Sequence, residues 1–415
     1  MPDIEIHIEL DDQLRRIGLA RRNLVRGMEM IAFEYAPDWL ADPECFSIEP
    51  ALALTRGVFT PPAGQPTFGS IGDSAPDTWG RRLMQRAERR LAERESRGVR
   101  TLTESDYLLG VSDETRLGAL RFRWLGEEIF QAPPRAGVPA LVALGRLLQI
   151  TERILREEET DEDMQLIFAP GSSLGGARPK ASVIDQYGHL SIAKFPKESD
   201  EYSIETWEEI ALRLAGRARI ATPHHELLQV AGKSVLLSRR FDRSGARRIP
   251  FLSAMSMTGS KDGDRGSYPE IVDALVANGA QAKTDAQALY RRVAFNVLIS
   301  NVDDHLRNHG FLWLSKAGWS LSPAYDLNPV PTDLKARVLT TNIDLDEGTC
   351  SLDLLEAAAE YFSLGLREAR AIIKEVATIT ATWRDAAREA GARSAEIDRM
   401  ASAFEHDDLK RGLAL

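Results

Sequence analysis

NVDDHLRNHGFLWLSKAGWSLSPAYDLN, residues 301–328, sets Asp303, His305 and Asn308 in a D-x-H-x-x-N arrangement, with Asp326 beyond an apolar hairpin. Transfer of a phosphoryl group from ATP needs a carboxylate that orients the attacking hydroxyl or takes its proton. It also needs oxygen ligands for Mg²⁺. An Asp and an Asn five residues apart on one loop, followed by a second Asp at a strand end, supply those groups. Asp303 is therefore the candidate catalytic residue, and Asn308 and Asp326 are the candidate metal ligands. His305 is expected to support the loop by hydrogen bonds at the nucleotide site rather than to act as a base. Asp304 is expected to be solvated or bonded locally. A plainer reading of Asp326 is a turn-initiating Asp before Leu327-Asn328-Pro329.

The sequence before this stretch fits the same chemistry. TDAQALYRRVAFNVLISN (284–301) has the apolar periodicity of a buried helix leading into the Asp303 loop. Upstream, residues 164–196 read as strand, Gly-rich turn, strand, Gly188 hairpin and strand. The turn, GSSLGGARPK (171–180), is a candidate phosphate cradle containing Ser173, Leu174, Gly175, Gly176, Ala177 and Lys180. Glycines there let backbone N–H groups approach phosphate oxygens. An ordinary tight turn between strands fits the same residues. The stretch is not a Walker A loop, because Ala177 stands where the lysine should be. Lys194, in SIAKFP, is the candidate cation for the ATP phosphates. Glu208, on the helix opened by Ser203, is its expected partner, with Glu209 as the competing choice.

The first ~130 residues predict a mixed α/β module. Ile4, Ile6, Ile8 and Leu10 alternate as in a half-buried strand, and 28–35 and 120–126 read as further strands. Ser74 is read as a helix N-cap with Asp77 at the third helical position. QAPPRAGVP (131–139) marks a boundary. A helix is expected from about residue 140 to 158, and three helices close the chain. The Arg-rich run 80–100, interleaved with Glu88, Glu93 and Glu95, suits a solvated face better than a docking surface for an acidic partner or DNA. His224 and His225 lack the spaced ligands of a metal site and read as structural.

The chain has 415 residues, 43% hydrophobic, with a net charge of -10. That balance disfavours non-specific nucleic-acid binding. Cys45 and Cys350 are the only cysteines, which excludes a disulfide framework and a Cys-based zinc site. The acidic, alternating N-terminus is not a signal peptide. No apolar run reaches the ~18 residues of a membrane span. A cytoplasmic location is expected.

Taken together, FEYAPDWL (33–40), FGSIGDSAPDTWGRRLM (68–84), SSLGGARPKA (172–181), IAKFP (192–196), RFDR (240–243), NVDDHLRNHGFLW (301–313) and LSPAYDLNP (321–329) make the chain resemble the HipA-type serine/threonine kinases. These are the toxin halves of HipA–HipB toxin–antitoxin modules. The resemblance implies an α+β, protein-kinase-like bilobal fold with an extra N-terminal α/β subdomain (1–135), a small lobe with the Gly-rich loop (136–241) and a helical large lobe (242–415). It implies ATP and Mg²⁺ as cofactors, and adenine contacts through the backbone of Arg239, Arg240 and Phe241. It also implies autophosphorylation at Ser173, or at the adjacent Ser172, that silences the kinase. A phosphate of charge near −2 beside the ATP phosphates would repel them. The implied partners are a HipB-like helix-turn-helix antitoxin, DNA only through that antitoxin, and a protein substrate such as an aminoacyl-tRNA synthetase. Two other readings stand beside this one: a small-molecule kinase, and a non-catalytic corepressor of an antitoxin–DNA complex. The N-terminal module and the serine pair argue against the first. The intact Asp303, Asn308, Asp326 and Lys194 argue against the second.

Overall fold

Isoleucines alternating along Ile4–Leu10 seed the first sheet. The computed structural model describes residues 2–10, 13–131, 138–171 and 176–415. Chain packing defines two compact units, Met1–Ser199 with Gln229–Leu252, and Asp200–Leu228 with Ser253–Leu415. The N-terminal module and the Gly-rich region thus share one unit.

In the first unit, β1 (Ile4–Leu10), β2 (Gln13–Val25), β3 (Met28–Tyr35), β4 (Val58–Phe59) and β5 (Leu120–Trp124) form a sheet in the order β4-β3-β2-β1-β5. Ile4, Ile6 and Ile8 are fully buried, but the alternate face is covered too. Glu5 is paired with Arg123 at 2.7 Å, and the His7 ring meets Phe130 edge-on. The half-buried strand of the sequence reading is therefore buried on both faces. β2 went unread because its arginines mask the period-two pattern.

Helix α1 (Thr78–Arg94) starts later than expected. Its N-cap is Asp77, whose Oδ1 accepts the Thr78 N–H at 2.7 Å, while the Ser74 hydroxyl instead donates to Ser70. Pro76 lacks an N–H and favours an extended residue before it, so the chain turns helical only after it. The arginines of this stretch are mostly ion-paired rather than presented to solvent: Arg81 with Glu104, Arg86 with Glu159, Arg90 with Asp161, and Arg97 with Glu88.

Helix α2 (Leu144–Arg156) is followed by α3 (Asp161–Gly171), where a strand was expected over 164–170. The Thr160 amide donates to Asp163, and the Asp163 amide donates back to the Thr160 hydroxyl, as in a capping box. Asp161, Glu162 and Asp163 complement the helix dipole, and Arg153 pairs with Asp163. These local signals outweigh the apolar run MQLIF. Strands β6 (Lys180–Ile184), β7 (Leu190–Lys194) and β8 (Lys233–Arg239) then pair antiparallel in that order.

Glu49 in this unit is 4% exposed and accepts the Ser70 N–H at 2.6 Å. Burial pushes its carboxyl up to about 7 from an ordinary 4.5, against the pull of that amide. The folded protein then binds more protons than the unfolded chain between those values, so this site loses stability as pH rises through them. Glu49→Gln is expected to melt several degrees above the wild type at pH 8 and to match it near pH 5, as read by calorimetry.

In the second unit, α4 (Ile204–Arg217) is capped by the Ser203 hydroxyl as expected. Its Trp207 is fully buried against Trp383 and Phe404, which stack on each other with centroids 4.6 Å apart. Helices α5 (Tyr268–Asn278) and α6 (Ala282–Ile299) precede the hairpin β9 (Gly310–Ser315) and β10 (Gly318–Leu321). The long C-terminal helix expected over 366–391 breaks into α7 (Leu366–Thr380) and α8 (Trp383–Glu389). After α9 (Ser394–Phe404), a further helix, α10 (Asp407–Ala414), was not expected. No helix among the described residues is long and apolar enough to cross a membrane.

Candidate active site

Lys180 and Lys194 are direct partners in the β6–β7 ladder of the first unit. Lys180 is 6% exposed and Lys194 is half-buried. Directly opposed side chains share a sheet face, so both ammonium groups lie on one side of this ladder. Gly176 sits beside them with φ +83°, and a Cβ there would lie 2.6 Å from the Lys180 ammonium. The positive φ favours glycine at this position. Ala177 is exposed. Ser172, Ser173, Leu174 and Gly175 lie outside the described residues.

The side chains of the expected adenine-contacting segment serve the first unit itself. Arg239 pairs with Asp185 at 3.0 Å, and the Arg240 amide donates to the Leu190 carbonyl at 2.9 Å. The Arg240 guanidinium is 4% exposed. It donates to Asp242 at 2.6 Å and to the Thr115 carbonyl at 3.0 Å. Asp242 also accepts the Gly118 N–H at 2.7 Å and Arg243 at 2.8 Å. The Phe241 ring lies 6.3 Å from that of Phe251. RFDR is thereby bound to the 113–121 segment of the N-terminal module.

In the second unit, α6 ends at Ser300, whose φ of 54° turns the chain into the candidate catalytic loop. The Asp303 side chain is 62% exposed and lies 3.3 Å from the Lys335 ammonium. Of the two expectations for Asp304, solvation fails and bonding to its neighbours holds. It is 1% exposed rather than solvated. Its carboxylate accepts hydrogen bonds from Tyr268, from Asn296 at 2.8 Å and from His309 at 2.8 Å. Burial alone would raise this carboxyl, but His309, then Tyr268 and Arg292, outweigh it and hold it below its ordinary value. Burial and the Asp304 charge push the Tyr268 phenol well above its usual range, so it remains a donor. A residue whose Oδ2 accepts three hydrogen bonds thus directly precedes His305 and follows Asp303. The His309 side chain supports the loop through Asp304, whereas His305 does so through its backbone: its amide donates to the Asp303 carbonyl at 2.9 Å and its carbonyl accepts the Asn308 amide at 2.8 Å.

Asn308 is buried, and its amide nitrogen donates to the Asp303 carbonyl at 3.2 Å. That leaves its oxygen as the donor atom for a cation. Asp326 is half-buried with φ 54°, a left-handed conformation uncommon outside glycine and asparagine. Hydrogen bonds on both flanks hold it there. The Tyr325 hydroxyl donates to the Arg307 carbonyl at 2.8 Å, and the Asn328 amide donates to Asn301 at 3.1 Å. The segment carrying Asp326 is therefore tied to the loop carrying Asn308. Among the described residues no group of three or more His, Cys, Asp or Glu could hold a metal alone. One Asp and one Asn suit a cation that also takes phosphate oxygens and water, the usual habit of Mg²⁺.

Glu208 is 3% exposed on α4 of the second unit, while Lys194 belongs to the first. Glu209, the competing choice, is engaged by His225 at 2.6 Å and Arg213 at 2.6 Å. His225 is thus structural, as expected. The sequence reading missed Lys335 and the Asp304 network. His309 carried the one available signal, as a histidine opening an apolar strand.

Residues 172–383, just over half of the chain, match the family model described as the HipA-like C-terminal domain. The chain belongs to that family. Its structure is similar to HipA of Shewanella oneidensis MR-1, solved with HipB and operator DNA. The TM-score is 0.67 at 17% identity, covering 99% of this chain and 96% of that one. At that identity the likeness concerns the fold. A weaker match, TM-score 0.38 at 16% identity over 57% of this chain and 94% of the other, is to the proinflammatory kinase CtkA of Helicobacter pylori. No curated protein matches the sequence.

Proposed function

We propose that this chain is an ATP- and Mg²⁺-dependent serine/threonine protein kinase acting as the toxin of a toxin–antitoxin module. The observation that carries the reading is the loop 303–309. Asp303 reaches solvent while the adjacent Asp304 is locked by Tyr268, Asn296 and His309. A catalytic carboxylate needs that combination of access and fixed position. In the first unit, Lys180 and Lys194 would bind the phosphates beside Gly176. In the second, Asn308 and Asp326 would hold Mg²⁺, which neutralises charge on the phosphates. Asp303 would orient the substrate hydroxyl and accept its proton. Lys335, 3.3 Å from Asp303, would offer positive charge to the phosphoryl group as it passes to that hydroxyl.

Membership of the HipA-like family supports silencing by autophosphorylation at Ser173 or Ser172, and a translation component such as an aminoacyl-tRNA synthetase as the target. A HipB-like antitoxin is the proposed partner, because the similar Shewanella HipA was solved with HipB and operator DNA. Contact with DNA would be indirect, in keeping with the net charge of -10 and the ion pairs of Arg81, Arg86, Arg90 and Arg97.

Nucleotide binding tests the first half of this reading. Titration calorimetry should find Mg²⁺-dependent ATP binding that weakens roughly tenfold to a hundredfold in Lys194→Met, the loss of one charge-assisted hydrogen bond. ATP binding equal in wild type and Lys194→Met would contradict the assignment.

A further inference from the structure

The sequence FGSIGDSAPDTWGRRLM belongs to the N-terminal module, yet two of its residues hold the end of the Gly-rich stretch about a hundred positions away. Asp77 divides its carboxylate. Oδ1 caps α1 by accepting the Thr78 N–H at 2.7 Å, and Oδ2 accepts the Gly176 N–H at 2.6 Å. The Trp79 N–H is a first-turn donor with no partner inside its helix. It donates to the Gly176 carbonyl at 3.0 Å. Gly176 is thus bound through both its N–H and its C=O. The Trp79 indole, fully buried, donates to the Lys180 carbonyl at 3.0 Å. The segment 176–180 is pinned at both ends by one helix start, and the Lys180 ammonium lies over Gly176 between those pins.

Capping α1 needs only one acceptor, and a serine would supply it. The second carboxylate oxygen does something a cap does not require. We infer that Asp77 and Trp79 are positioning residues for the nucleotide site, fixing Gly176 and Lys180 so that the lysine is presented to the phosphates of ATP. The inference rests on the kinase reading above and extends it. The N-terminal module then helps to build the nucleotide site.

Asp77→Ser separates the two roles, since serine retains the cap but is too short to bond Gly176 as well. The variant should melt within about a degree or two of the wild type. Its Gly176 amide should lose hydrogen-exchange protection, and KM for ATP should rise roughly tenfold with a smaller change in kcat. If Asp77→Ser does not fold, Trp79→Phe removes only the indole donor and should raise KM in the same direction. Unchanged KM in a folded variant, or a Gly176 amide equally protected in wild type and Asp77→Ser, would overturn the inference. A wild-type chain that binds no ATP would instead fail the kinase reading itself.

Discussion

Asp303→Asn should fold and melt as the wild type does, yet lose phosphoryl transfer by roughly a thousandfold, within the range of general-base contributions. The two halves of that expectation have separate causes. The Asp303 side chain is 62% exposed, and its ion pair with Lys335 is more than half exposed on both sides. Such pairs contribute at most about 1 kcal/mol. Chemistry, by contrast, would depend on the carboxylate charge facing the attacking hydroxyl. Steady-state transfer to an added protein substrate, with thermal melting in parallel, reads both. The neighbouring residue should behave in the opposite way. Asp304→Asn would disturb a network of three buried donors and lower stability and activity together. Retained transfer by a folded Asp303→Asn would remove that residue from the mechanism.

Asp242→Ala should destabilise the first unit by about 3–5 kcal/mol, the usual consequence of removing one partner from a buried ionic cluster. Asp242 is 1% exposed and holds Arg240, Arg243 and the Gly118 amide. Without it two guanidinium groups remain in a poorly hydrated space without their main counter-charge. Burial would raise the Asp242 carboxyl, but Arg240 and Arg243 outweigh that and hold it at about 2, below an ordinary 3.8. A depressed acid contributes stability above its unfolded value and loses it as pH falls toward its folded one. Acid unfolding of the wild type should therefore steepen between about pH 4 and 2, and Asp242→Ala should lack that step. Equal melting temperatures at neutral pH would refute this account of RFDR.

The helices around the site were legible where periodicity and capping agreed, as in Ser203 before α4 and the apolar run of α6. Expectations failed where a local signal competed with pattern. Acidic residues and a capping box made a helix of 164–170, although MQLIF alone suits a strand. Arginines in β2 and the buried Glu5–Arg123 pair hid a two-sided strand arrangement. For the candidate site, Asp303, Asn308 and Asp326 could be proposed from sequence because their order along the chain carries chemistry. The partners of Asp304 were not legible because Tyr268, Asn296 and His309 come from separate elements, and no spacing rule connects them. Lys335 and the Asp77–Gly176 bond were invisible for the same reason.

The central claim is that this chain transfers phosphate from ATP to serine or threonine, including its own Ser173 or Ser172. The most direct measurement is incubation of the dephosphorylated full chain with Mg²⁺ and labelled ATP, followed by mass spectrometric mapping. The account predicts label on Ser173 or Ser172 in the wild type and none in Asp303→Asn. A wild-type chain that binds ATP, starts without phosphate and acquires no label on itself or on an added translation-factor substrate would contradict it.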